Sequence, residues 1–146
     1  MCIRDRFPMG DGEVIPVHLP GHTSDGMGFH IPHLSTLVVG ALVPRADRPT
    51  RWDMPGGSLV DIVASLKRIK RMDLASIVPL QGPAIRGKAH VEEVLDRHLS
   101  FFEEAVVNEG QPPSSWDRPA TTAVWLTPRS PWPLEEKESV QAGEGR

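Results

Sequence analysis

The chain has 146 residues and a mass of 16.1 kDa, enough for one ordinary domain with a core of its own and too little for two. Its 16 basic and 19 acidic residues leave a net charge of -3, and the cations are scattered rather than massed, so neither a nucleic acid nor a membrane is expected as partner. The single Cys2 forms no internal disulfide and there is no CxxC pair, so any metal would have to rest on histidines and carboxylates.

At the start of the chain, residues 1–6 (Met-Cys-Ile-Arg-Asp-Arg) fit no element and resemble a translated adaptor remnant. Residues 1–9 are accordingly expected to be a non-native or disordered start. The N-terminus lacks the apolar run of a signal peptide, and no stretch approaches the ~18 apolar residues of a membrane span, which points to a soluble, cytoplasmic protein.

Gly10-Asp11-Gly12 is a turn signal, and residues 13–19 read as a strand rich in Val and Ile that delivers Pro20-Gly21-His22-Thr23 at its end. A histidine beside a glycine at a strand end can be aimed into a site, although most such histidines are turn or surface residues. Two further strands, 27–31 and 36–42, are joined through Pro32-His33-Leu34-Ser35 as a hairpin. Residues 43–57 are rich in Pro, Arg, Asp and Gly and have no period, which predicts a long loop of the kind that carries function or moves.

Ser58 and Asp61 make a capping-box pair, and Leu59, Ile62, Val63, Leu66 and Ile69 recur at helical spacing, so a helix starts at 58 with its stripe against a sheet. The cations Lys67, Arg68, Lys70 and Arg71 read as its solvated face near the C-terminal end. Residues 76–80 predict a short strand closed by Gln81-Gly82-Pro83. A second helix is expected over 89–108, burying Val91, Val94, Leu95, Leu99, Phe102, Ala105 and Val106 and stopping at Gly110. Residues 10–110 therefore form the α/β domain. Residues 111–146 form a Pro/Trp/Glu-rich extension with one apolar run at 123–126 and an end expected to be disordered.

Three strand ends now line up: His22, Gly40-Ala41 and Gln81-Gly82. This layout resembles the C-terminal half of the metallo-β-lactamase-fold hydrolases over residues 13–107, with Pro20 to Thr23 as the histidine motif, Leu37 to Gly40 as the strand before the bridging aspartate, and Val78-Pro79 with Gly82-Pro83 as the last motif. The resemblance implies a four-layer αββα fold of which this chain holds half, a mixed sheet with helices on one face. Two positions depart from the pattern: Ala41 stands where the bridging aspartate would be, and Leu80-Gln81 where Gly-His would be. The HxHxDH motif of the other half does not occur in the chain.

Both departures fall on the second metal and the bridge of the two-metal version, whereas His22 serves the first. The resemblance thus implies one zinc ion, held through His22 only when the missing N-terminal half is present, with an open position at which a hydrolytic metal makes hydroxide. Asp25 is expected either as a hydrogen-bond partner behind His22 or as a turn-capping carboxylate. In the long loop, Arg48 and Arg51 are candidates to pair a carboxylate or phosphate, and Trp52 either covers an apolar part of a substrate or docks on the core. His30 and His33 read as surface or hairpin-packing residues, His18 as bonded to backbone, and His90 and His98 as solvent-facing or partly packed.

Two functions follow. One is a fragment of a metal-dependent hydrolase of a small-molecule ester, thioester, lactone, amide or phosphoester, inactive alone, whose partner is the missing half or a second copy of itself. The other is a non-catalytic domain that keeps the fold for binding or assembly, and Ala41 and Gln81 favour it.

Overall fold

The computed structural model of the chain describes residues 5–52 and 55–110. Cys2, the 123–126 run and the rest of the extension lie outside those residues. A six-stranded sheet carries the fold, its strands side by side in sequence order: β1 Phe7–Met9, β2 Gly12–His18, β3 Met27–Ile31, β4 Thr36–Gly40, β5 Ser76–Pro79 and β6 Ile85–Arg86. Neighbours are antiparallel except β4 and β5, which are parallel because helix α1, Leu59–Arg71, crosses between them. Helix α2, Lys88–Val107, follows β6 and packs beside α1.

Alternation along the strands separates two faces. Val17, Leu37, Val39 and Ile77 point to the helices and are fully or nearly fully buried. They meet Ile62, Leu66 and Ile69 of α1 and Val91, Val94, Leu95, Phe101 and Phe102 of α2. Each such side chain contributes about 1.5–3 kcal/mol by leaving water, so this one-sided core accounts for most of the cohesion.

The opposite face has no such cover among the described residues. Pro16, Phe29, Val38 and Val78 form one cross-strand row, Phe7 stands opposite Val14, and Phe7 and Phe29 are 54% and 43% exposed. The architecture is therefore a mixed sheet with helices on one face, as the resemblance implies.

Three differences from the sequence reading have local causes. Strand β1 lies within the stretch expected to be a non-native or disordered start: Gly10, at φ +58°, turns the chain back so that Phe7 to Met9 pair with Val14 to Gly12. Strand β6 is only two residues long, too short to leave a periodic signal. In α2, Val106 is 39% exposed while Phe101 and His98 are buried, because the helix packs against both α1 and the long loop and so buries a wider face than one stripe.

Candidate functional site

The turn after β2 is fixed by its contact with α1. Gly21 has φ +145°, and a Cβ there would lie 2.7 Å from both N and Cα of Ile62, so only glycine fits at this approach. Four hydrogen bonds hold the turn to α1 and its N-cap or close its own loop. Ser58 N donates to Gly21 O (2.8 Å) and Leu19 N to Gly26 O (2.8 Å), Ser65 Oγ donates to Pro20 O (2.7 Å), and an Arg68 guanidinium N–H donates to His18 O (3.0 Å). The expected helix cap is present in half: Asp61 N donates to Ser58 Oγ at 3.2 Å, but Ser58 N is taken by Gly21 rather than by the Asp61 carboxylate.

This anchoring presents His22 to the long loop. Thr50 is 2% exposed, and its hydroxyl donates to Ala41 O at 2.7 Å. Having one proton, the hydroxyl is left as acceptor toward His22 Nδ1 at 3.0 Å. The same ring nitrogen faces Arg51 O at 3.0 Å. Both neighbours accept, so Nδ1 carries the proton and Nε2 carries the lone pair of the neutral ring. A hydroxyl and a backbone carbonyl thus do for His22 what was sought from Asp25, which is exposed on the turn. Sequence reasoning had no signal for Thr50, which lies 28 residues from His22 in a segment with no period.

A pocket of about 120 Å³ opens at this point, lined by His22, Ala41 and Gln81 from the strand ends and by Arg45, Arg48, Thr50 and Arg51 from the loop, among others. The three strand ends singled out in the sequence do converge. Arg48 and Arg51 join them, and Arg45 adds a third arginine that the sequence had not marked. Trp52 turns away and packs on α2, its ring 5.9 Å from Phe102 and 6.3 Å from Phe101. Of its two readings, docking on the core is the one realised.

His98, expected at least partly in solvent, is wholly buried beneath the same loop. Its Nε2 donates to Ala46 O at 3.0 Å, and loss of hydration lowers its pKa from 6.5 to about 4. His18 bonds to backbone as anticipated, Nε2 to Ser24 O at 2.8 Å. His33 lies over Gly12, where a side chain on residue 12 would collide with its ring. Burial also lowers the pKa of His30.

The fit of this site to a metal is poor. Among the described residues no three of His, Cys, Asp or Glu gather closely enough to hold an ion. Ala41 offers no donor, and Gln81 offers an amide in place of imidazole.

Known structures with the same path of chain include a metallo-beta-lactamase from Pontibacter korlensis, 20% identical, at a TM-score of 0.55 over 68% of this chain and 45% of that one. ETHE1 from Myxococcus xanthus, 18% identical, gives a TM-score of 0.58 over 80% of this chain and 54% of that one. The fold is that of the metallo-β-lactamases. It covers part of the chain, and the chain spans about half the length of these proteins. An uncharacterised protein from Aquifex aeolicus (strain VF5) is 35% identical over 65 residues, 44% of this chain and 30% of its own length. No family model matches. Among the described residues no helix is long and apolar enough to cross a membrane.

Proposed function

We propose that this chain is the C-terminal part of a metal-dependent hydrolase of the metallo-β-lactamase fold, acting on a small molecule through an ester, thioester, lactone, amide or phosphoester bond. One observation carries the reading: His22 is held with Nδ1 protonated and Nε2 available, the orientation in which an imidazole ligates a metal while its other nitrogen is tied back to the protein. The remaining ligands would come from an N-terminal half, whose sheet would cover the row Pro16, Phe29, Val38 and Val78. That half is the occupant favoured by the coverage of the matched structures, 45% and 54% of their lengths. In this role His22 contributes one ligand, and the arginine-lined pocket contributes substrate contacts.

The test is zinc content of the chain extended by the sequence its gene encodes upstream of Arg6, in wild type and His22→Ala. Stoichiometric zinc that is lost with His22 is expected; zinc binding indifferent to His22, or none, refutes the ligand role. The chain by itself is expected to self-associate through its apolar sheet face, and a monodisperse monomer in size-exclusion chromatography would contradict the fragment reading. A second reading, a non-catalytic binding domain, is favoured by Ala41 and Gln81, and is the outcome if no zinc is taken up.

A further inference from the structure

Ala41, Pro44 and Leu80 present hydrocarbon to the pocket at the strand ends. Leu80 is 59% exposed, so an apolar group seated against it would remove aliphatic surface from water. Ala41 and Leu80 both stand where the sequence departs from the pattern it resembles, in the places of an aspartate and a glycine. Each departure puts carbon where that pattern has a carboxylate or no side chain, and the two line one cavity.

The polar groups around these three residues are engaged within the chain. The Thr50 hydroxyl donates to Ala41 O at 2.7 Å and accepts from His22 Nδ1 at 3.0 Å. Gln81 N donates to Pro44 O at 2.8 Å, Leu80 N to Val43 O at 3.3 Å and Arg48 N to Arg45 O at 3.3 Å. Arg45 pairs with Asp47 through Nε at 3.0 Å, and Arg48 and Arg51 have partners within the chain as well. Groups already bonded gain little from a new polar partner, whereas each CH₂ buried against hydrocarbon raises affinity about threefold to fourfold. An apolar cavity of about 150 Å³ takes a benzene ring. At about 120 Å³ this pocket is sized for an aliphatic group of about four carbons.

We propose that this pocket is an apolar subsite in which Ala41, Pro44 and Leu80 hold a short aliphatic group of a small molecule beside His22. Describing that group as the acyl end of a hydrolase substrate rests on the function proposed above; the subsite itself requires no metal.

The test titrates the full chain, in the presence of a chelator, with the neutral amides acetamide, butyramide and hexanamide, and follows the alkyl protons of each probe by saturation-transfer NMR. Affinity is expected to rise about tenfold from acetamide to butyramide. From butyramide to hexanamide it is expected to change less than about twofold, because the pocket is then full. Ala41→Leu, which fills the cavity, and Leu80→Gln, which removes an apolar wall, are each expected to weaken butyramide about fivefold or more. Leu80 is exposed, so Leu80→Gln carries the test if Ala41→Leu does not fold. Leu34→Gln, equally exposed but at the other end of β4, and Phe29→Thr, on the uncovered sheet face, are expected to bind as wild type. Butyrate, which adds a charge, is expected to bind no tighter than butyramide. Affinity independent of chain length or still rising through hexanamide, no loss in Leu80→Gln, equal loss in Leu34→Gln or Phe29→Thr, or a clear preference for butyrate overturns the proposal. A failure of the hydrolase reading shows instead in the zinc measurement and leaves this titration unaffected.

Discussion

Replacing Thr50 by valine isolates the hydrogen-bond relay behind His22. The side chains are close in shape, and Thr50 is 2% exposed, so the substitution removes a buried hydroxyl and little volume. Two bonds disappear: the donation to Ala41 O at 2.7 Å and the acceptance from His22 Nδ1 at 3.0 Å. The histidine loss is softened, because Nδ1 still faces Arg51 O at 3.0 Å. The carbonyl of Ala41 loses a strong partner, and a lost bond with an incompletely satisfied group costs about 1–3 kcal/mol. A destabilisation of about 2 kcal/mol is therefore expected in urea unfolding of the full chain. Thr50→Ser keeps the hydroxyl and is expected to cost less than about 1 kcal/mol, the share of one methyl group. Nitrogen chemical shifts of the His22 ring are expected to report the Nδ1–H form in wild type and a mixture of tautomers in Thr50→Val. Equal stability of Thr50→Val and wild type, or equal damage from serine and valine, would refute the relay.

Two further outcomes follow from neighbouring geometry. Gly21→Ala places a methyl 2.7 Å from the Ile62 backbone at φ +145° and is expected to destabilise by about 2–5 kcal/mol, combining strain and overpacking; a loss below about 0.5 kcal/mol in the same unfolding assay would contradict the close approach. His98 binds a proton near 6.5 when unfolded and only at about 4 when folded, so between those values the unfolded state carries more protons and stability falls as pH falls. The loss amounts to roughly 3 kcal/mol over that window, with Arg97 adding to the depression and Asp47 opposing it. His98→Gln is expected to flatten the slope between pH 6.5 and 5, and an unchanged slope there would rule His98 out as its source.

The elements that were legible in the sequence are those whose burial repeats. Val17, Leu37, Val39 and Ile77 alternate, and Ile62, Leu66 and Ile69 recur at helical spacing, so β2 to β5 were readable to within two residues and α1 from its start. Strand β1 holds three residues and β6 two, and such lengths carry no period. His98 was misplaced because a polar side chain on a helix ordinarily faces water, and its burial depends on a loop 52 residues away. The strand-end triad was legible through motifs at fixed turns. Thr50 and Arg45 were not, because their roles arise from how an aperiodic loop folds back over the strand ends.

The attachment of the Gly21 turn to α1 separates the history of this motif from its chemistry. Gly21 is required by the nearness of Ile62, and His22 ties down residues 50 and 51 through Nδ1. Selection for a folded chain is thus sufficient to retain both residues, even in a lineage whose metal ligands have been replaced. A mutational scan scored only on cellular abundance, with no substrate present, should find these two positions intolerant, so the motif answers to folding before it answers to catalysis.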